Sequence, residues 1–284
     1  MISADPVLSL VRPEILALTP YSSARKEAKT GRVWLDANEN PQTPSAGRPL
    51  FNRYPEPQPS DLIARLASYY AVATKNILVT RGSDEGIDLL IRAFCRAGQD
   101  SILITPPTYG MYAVSAAIQD AGVVAVPLVV EKNFALDPAA VLQAVTPAVK
   151  LVFLCSPNNP TGALLDRAEV LRLTKALLGR AVVVVDEAYL EFAGTKSLTE
   201  ELPANPNLVV LRTLSKAFGL AGVRCGVTIT GSALVGVLQK IIAPYPVPTP
   251  VLQGALAALS PEGLAAARAS VQALVAERRQ FSAF

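Results

Sequence analysis

Four short segments carry polar and charged side chains directly after stretches whose apolar residues predict buried strands. They are Arg81-Gly-Ser-Asp-Glu-Gly86, Ser156-Pro-Asn-Asn-Pro-Thr-Gly162, Asp186-Glu-Ala-Tyr189 and Thr213-Leu-Ser-Lys216-Ala-Phe-Gly-Leu-Ala-Gly-Val-Arg224. In an open parallel sheet the carboxyl ends of the strands line the ligand crevice, so we expect the four segments to meet there. An amine, carboxylates, hydroxyls, an amide and a guanidinium group would then surround one ligand.

These side chains match what pyridoxal 5'-phosphate (PLP) requires. PLP needs a lysine for a Schiff base, a carboxylate that keeps its pyridine nitrogen protonated, and donors for its phenolic oxygen and its phosphate. Lys216 is the candidate amine and Asp186 the candidate carboxylate. The candidate donors to the phenolic oxygen are Asn159 and Tyr189. The backbone amides of Ser83 and Asp84, at a predicted helix start, and the side chains of Ser215 and Arg224 are predicted to hold the phosphate.

Each segment alone also has a simpler interpretation. Ser83 and Asp84 are typical of a helix N-cap, and Asn-Pro-Thr-Gly is typical of a turn. Asp186 after a strand is compatible with a turn or a metal ligand, and Lys216 with a solvated surface lysine. Arg224 is compatible with an ordinary salt bridge. The joint occurrence of the segments, in this order and all at strand ends, favours the cofactor site.

Composition limits the other classes of function. Of the 284 residues, 51% are hydrophobic and 17% are charged, which predicts one large domain with a sizeable core and part of a second domain. The net charge is +3 and no run of basic residues occurs, so we expect no nucleic-acid partner. Three widely spaced cysteines form no CxxC pair, which indicates reduced thiols and no metal site.

The chain contains no histidine. Serine–histidine–aspartate triads and histidine-ligated metals are therefore excluded for this chain, and proton transfer must use Lys, Tyr, Asp, Glu, Cys or a cofactor. The first residues lack the pattern of a signal peptide, and no stretch approaches the ~18 apolar residues of a membrane span. We therefore expect a soluble cytoplasmic protein with no membrane partner.

Short, continuously apolar runs alternate with helical patterns, which predicts an α/β fold with a mostly parallel, doubly wound sheet of three layers. The predicted strands are Ile77–Val79, Ile102–Ile104, Val123–Leu128, Leu151–Leu154, Ala181–Val185, Leu208–Leu211 and Gly226–Ile229. The clearest predicted helices are Asp84–Cys95 and Asp166–Leu178, the second with a capping box formed by Asp166 and Glu169.

We expect three parts along the chain. Residues 1–47 are predicted to form an N-terminal arm and part of a small domain, residues 48–247 the large cofactor-binding domain, and residues 248–284 a linker helix and the start of a second domain. Ser260 and Pro261 predict a helix start, and the helical pattern continues to Phe284 without a C-cap. This ending predicts a truncated product.

The motifs together resemble the fold-type-I, aspartate-aminotransferase-like PLP enzymes. Within them the chain is similar to the histidinol-phosphate aminotransferase family. The resemblance covers essentially the whole chain and rests on the four segments together with Leu18–Tyr21, Trp34–Pro41, Asn52–Pro59, Arg81–Cys95, Pro106–Tyr112 and Ala243–Pro250.

The resemblance supports the roles given above to Lys216 and the other cofactor residues and implies further ones. It implies that Tyr109 stacks on the cofactor ring, and that Tyr54 reaches the phosphate of the partner subunit's site in a homodimer. Tyr21 and Asn38 are implied to lie near the substrate. No resident metal is implied.

The implied reaction moves an amino group between L-histidinol phosphate and 2-oxoglutarate, with Lys216 as the proton-transferring base. Two other PLP reactions stay open, namely aromatic amino-acid transamination and decarboxylation of a phosphorylated amino acid. Family members continue into a segment whose arginines bind substrate. A PLP-binding fragment with little turnover is therefore the remaining alternative.

Overall fold

The computed structural model describes residues 6–21, 37–42 and 51–282, and in these ranges seven strands form one sheet. The strands are β1 (Ile77–Thr80), β2 (Ser101–Ile104), β3 (Gly122–Ala125), β4 (Val149–Cys155), β5 (Val182–Asp186), β6 (Leu208–Thr213) and β7 (Gly226–Ile229). Their order across the sheet is β1-β7-β6-β5-β4-β2-β3. Neighbours from β3 to β6 are parallel, whereas β7 runs antiparallel to both β6 and β1.

The helices of the described ranges lie before, between and after these strands. They are α1 (Pro13–Ala17), α2 (Ser60–Tyr70), α3 (Gly82–Phe94), α4 (Met111–Ile118), α5 (Pro138–Ala144), α6 (Arg167–Ala176), α7 (Ser232–Ile241), α8 (Thr249–Ala258) and α9 (Pro261–Phe281).

The sheet separates two hydrophobic cores. On β5, Val183 and Val185 face the core that contains residues of α2, α5, α6 and α8. Val182 and Val184 face the other core, which contains residues of α3, α4 and α7. Both faces of the central strands are buried, which explains why their sequences are continuously apolar. The predicted α/β class and three-layer, mostly parallel sheet are confirmed.

The predicted strand Val123–Leu128 is wrong in its extent and its burial. The observed β3 ends at Ala125, and three of its four residues are exposed. β3 is the edge of the sheet and pairs only with β2, whereas each inner strand pairs with two neighbours.

Helix starts agree closely with the sequence signals. Asp166 caps α6 by accepting a hydrogen bond from the amide of Glu169, and Ser260 caps α9 through the amide of Gly263. α3 begins at Gly82, two residues before its predicted start.

No helix of the described residues is long and apolar enough to cross a membrane. The predicted boundary at residue 47 lies outside the described residues, and the three-part division stays a prediction.

Candidate active site

A cavity of about 550 Å³, including its open mouth, lies at the carboxyl ends of β4, β5 and β6. Nine residues predicted from the sequence line it: Ser83, Asp84, Tyr109, Asn159, Asp186, Tyr189, Ser215, Lys216 and Arg224. The other three lining residues had no predicted site role; they are Cys155, Ala188 and Thr213. The predicted meeting of the four segments at one sheet edge is therefore observed.

Strand register explains this convergence. β4, β5 and β6 are parallel neighbours, and Cys155 at the end of β4 lies beside Asp186 at the end of β5. Asp186 is in turn paired with Leu211 on β6. The loops that follow must therefore leave the sheet side by side. After β4, the Asn158 side chain donates to the Pro107 carbonyl 2.8 Å away and fixes the loop that carries Asn159.

Asp186 is the buried carboxylate of the cavity, with only 3% of its surface exposed. Its Oδ2 accepts a hydrogen bond of 2.9 Å from the Tyr112 hydroxyl, and its Oδ1 accepts one of 3.1 Å from the Ala188 amide. Burial raises the pKa of Asp186 to about 6, although both hydrogen bonds act in the opposite direction. A cation in the cavity would compensate for the lost hydration of this carboxylate.

Tyr112 contacts the site but was not predicted from the sequence. Its side chain is fully buried, its ring stacks on Phe153 with centroids 4.8 Å apart, and it meets Tyr109 edge-on at 5.6 Å. The available signal was a second tyrosine three residues after Tyr109, which is the spacing of one helical turn. A single aromatic residue in an apolar helix otherwise indicates core packing.

Lys216 is an exposed amine on the wall of the cavity. Its Nζ lies 5.4 Å from the centroid of the Tyr189 ring. The turn before it is held by Thr213, whose Oγ1 accepts from the Ser215 amide at 3.1 Å and lies 2.9 Å from the Ser215 Oγ. Thr213 was also missed, because its contacts are with the turn and its type is common at strand ends.

The start of α3 forms the other side of the cavity. The N-cap residue Arg81 has a side chain that cannot accept a hydrogen bond, and the Gly82 amide donates to the Arg224 carbonyl at 3.1 Å. Arg224 Nη2 lies 3.0 Å from Asp84 Oδ2 at this helix start. A Cβ at Gly226 would lie 2.1 Å from the Gly82 carbonyl carbon, so only glycine lets β7 pass this close. Helix amides and a guanidinium group thus adjoin a region suited to an anion.

Three predicted site residues do not line this cavity. Tyr21 is 69% exposed. Asn38 and Tyr54 line a separate cavity near the proline-rich segment that precedes α8. There the Tyr54 ring stacks on Tyr245 with centroids 4.5 Å apart. Their predicted roles stay predictions.

The donor set fits PLP and does not suit a metal. No cluster of three or more metal-ligating side chains occurs in the described ranges. A buried carboxylate, a nearby exposed lysine and an anion-binding helix start match the ring nitrogen, aldehyde and phosphate of PLP. The fold and the cavity thus define a PLP-dependent enzyme of the α/β class.

Comparison with known proteins assigns the chain to a family. The aminotransferase class I and II family matches residues 21–283, and the chain belongs to this family. Histidinol-phosphate aminotransferase 1 of Pasteurella multocida strain Pm70 is 49% identical over 98% of this chain and 78% of its own length. The histidinol-phosphate aminotransferase of Yersinia enterocolitica is also 49% identical, over 98% of this chain and 74% of its own.

A solved structure supports the same fold. The histidinol-phosphate aminotransferase of Sinorhizobium meliloti, in complex with PLP, aligns with a TM-score of 0.73 at 28% identity. The alignment covers 80% of this chain and 61% of that chain. The chain described here therefore spans less than two thirds of the length of that structure.

Proposed function

We propose that this protein transfers an amino group between L-histidinol phosphate and 2-oxoglutarate, giving imidazole-acetol phosphate and L-glutamate. The observation that carries the chemistry is the presence of the Lys216 amine and the buried Asp186 carboxylate on the wall of one cavity. The substrate is inferred from the similarity to histidinol-phosphate aminotransferases at 49% identity. This reaction belongs to histidine biosynthesis.

In this proposal the nine predicted residues that line the cavity have roles toward the cofactor. Lys216 supplies the amine to which PLP attaches, and Asp186 pairs with the protonated ring nitrogen. Asn159 and Tyr189 donate to the phenolic oxygen, and the Tyr109 ring covers one face of the cofactor ring. The backbone amides of Ser83 and Asp84 and the side chains of Ser215 and Arg224 would hold the phosphate.

PLP, when bound, withdraws electrons from the substrate α-carbon and so acidifies its proton. The proton itself must be moved by a side chain of the protein. Lys216 is the candidate because its amine would be a base when it is not bonded to the cofactor, and because the chain contains no histidine. Asp186 sustains the effect by holding a proton on the ring nitrogen, which a buried anion does strongly.

We further infer that the active form is a homodimer. Tyr54 lies outside the cavity that contains Lys216 and is 49% exposed, so part of this residue is accessible to another chain. In the proposed dimer Tyr54 contacts the phosphate in the partner subunit's site, while Tyr21 and Asn38 lie near the substrate. Small amino donors and 2-oxo acids are the substrates, and the cytoplasm is the proposed location.

A substrate panel tests this function. The protein is incubated with PLP, 2-oxoglutarate and one amino donor, and glutamate is measured. L-histidinol phosphate is expected to give a kcat/KM at least about tenfold above phenylalanine and tyrosine, since a phosphate contact contributes about 1.5–3 kcal/mol. Lys216→Arg is the matched control and should be inactive.

Two results would contradict the proposal. Preference for an aromatic amino acid would indicate an aromatic aminotransferase. Carbon dioxide release from a phosphorylated amino acid, without glutamate formation, would indicate a decarboxylase.

A further inference from the structure

The hydroxyl of Tyr112 is directed at the one buried carboxylate of the cavity. Tyr112 lies on α4, which is far along the chain from β5 and the loop that follows β5. Its hydroxyl donates to Asp186 Oδ2 at 2.9 Å. The two residues are 74 positions apart in the chain. The contact is therefore a tertiary one that the packing of α4 against the sheet must maintain.

The ring of Tyr112 has little freedom to leave this position. It stacks on Phe153 of β4 and is crossed edge-on by Tyr109. Burial and the neighbouring Asp186 charge raise the pKa of Tyr112 well above its ordinary value. Tyr112 therefore stays protonated across the physiological range, and toward Asp186 it acts as a fixed hydrogen-bond donor.

The two oxygens of Asp186 have separate partners. Oδ2 accepts from Tyr112 and Oδ1 from the amide of Ala188, which fixes the plane of the carboxylate. A carboxylate oxygen can accept more than one hydrogen bond, so acceptor capacity remains on the cavity side. Both donors favour the anionic form, against the strong effect of burial.

We propose that Tyr112 is a positioning residue whose buried hydroxyl orients the Asp186 carboxylate and keeps it anionic. The acceptor capacity of Asp186 that faces the cavity can then pair with the protonated ring nitrogen of the cofactor. This inference rests on the proposed function, because it assigns Asp186 to that nitrogen. A purely structural role is the competing explanation, since Tyr112 also fills core volume beside Phe153. The two explanations differ in their dependence on pH.

The groups that influence the charge of Asp186 come from several elements. Asp84 on α3 and Glu187 beside it disfavour its ionisation, as does burial. The thiol of Cys155 on β4 also adjoins it. The other titratable or charged side chains that line the cavity are Tyr109, Tyr189, Lys216 and Arg224. All of these remain unchanged in a Tyr112→Phe variant, which removes only the hydroxyl.

The first measurement uses the cofactor-free protein. Aspartate labelled with ¹³C at the carboxyl carbon is incorporated, the Asp186 signal is assigned with Asp186→Asn, and its pH titration is followed by NMR. We expect Y112F to titrate at higher pH than the wild type, because the hydrogen bond to the anion is lost. An unchanged titration would overturn the proposal, whether or not PLP binds.

The second measurement is the dissociation constant for PLP. At about pH 7 we expect Y112F to bind PLP about tenfold or more weakly than the wild type, the usual effect of losing a hydrogen bond to a charged group. At about pH 9 Asp186 is ionised in both proteins, so the ratio of the dissociation constant of Y112F to that of the wild type should be closer to one than at pH 7. A ratio that stays constant with pH, or equals one throughout, would overturn the proposal in favour of packing.

Tyr70→Phe is the matched control. Tyr70 is also a buried tyrosine, but its ring lies against Arg212 and does not line the cavity. We expect Y70F to bind PLP as the wild type does. If wild-type protein itself failed to bind PLP, the proposed function would be wrong, while the NMR titration would still decide whether Tyr112 controls the charge of Asp186.

Discussion

Asp186 places a carboxylate in the interior at the end of β5, where burial raises its pKa to about 6. An unfolded chain ionises the same group near its ordinary value of about 3.9. At a pH between these two pKa values, Asp186 has lost its proton in the unfolded chain but still holds it in the folded chain. The stability of the cofactor-free protein therefore falls as the pH rises through this window, and the cost levels off above about pH 6.

Asp186→Asn removes this ionisation and so tests the predicted pH dependence of stability. The free energy of unfolding of the wild type, relative to D186N, is expected to fall by about 2 kcal/mol between about pH 4 and pH 7 in the cofactor-free protein. Urea unfolding of both proteins across that range measures the difference. Asp88→Asn, which alters a half-exposed carboxylate on α3, serves as the control. A difference independent of pH would mean that Asp186 is not destabilised by burial.

A buried network of charged residues joins β6 to the segment that follows β5. Arg212, near the end of β6, contacts Glu187 at 2.9 Å and Glu191 at 2.5 Å, and only 5% of its side chain is exposed. Glu187 also accepts from the Ser197 hydroxyl and the Leu198 amide. The pair therefore ties the strand that leads to Lys216 to the loop that carries Asp186 and Tyr189.

Arg212→Met should strongly destabilise the protein, because it leaves Glu187 buried without its cation. The expected loss is about 3–5 kcal/mol in the free energy of unfolding. Arg172→Met is the matched control, since Arg172 pairs with Glu169 on an exposed face of α6 and should cost less than about 1 kcal/mol. Chemical denaturation of the three proteins gives the comparison. Equal losses would show that the Arg212 network does not stabilise the sheet edge.

Local sequence patterns predict the inner elements well and the tertiary contacts poorly. β5 and β6 are recognisable because both faces are buried, which requires continuous apolar runs. The extent of β3 was mispredicted because an edge strand has one paired neighbour and no such requirement. Tyr112 was missed for a related reason. Its partner lies 74 residues away, and nothing in the helical pattern of α4 indicates which buried carboxylate it contacts.

The topology of the sheet places the cavity residues together, whereas other predicted site residues lie in segments outside the sheet. The residues that line the cavity were predictable because four strand ends meet at one edge of a parallel sheet. The predicted positions of Tyr21, Asn38 and Tyr54 could not be derived in this way. They come from segments before the first strand, and for Tyr54 the proposed target lies on another chain.

Mixed dimers test the proposed exchange of Tyr54. Lys216→Ala and Tyr54→Ala proteins, each defective alone, are unfolded together and refolded as an equal mixture. If Tyr54 acts in the partner subunit's site, each hybrid contains one site with both residues intact. Random pairing then restores about a quarter of the sites. A double variant, K216A with Y54A in one chain, mixed with wild type is the control for subunit exchange.

Recovered transamination in that mixture would support the dimer. Activity no higher than that of the separate variants, in a sample shown to contain hybrids, would place Tyr54 in its own subunit's site or outside any site.

The most direct test of the central claim is the identity of the lysine that binds the cofactor. Protein purified with PLP is expected to absorb visible light, and reduction with borohydride should remove that band and fix the cofactor covalently. Peptide mapping by mass spectrometry then locates the adduct. Because Lys216 lines the cavity together with Asp186, the adduct is expected on Lys216. An adduct on Lys196, Lys240 or another lysine, with Lys216 unmodified, would contradict the assignment of this cavity as the active site.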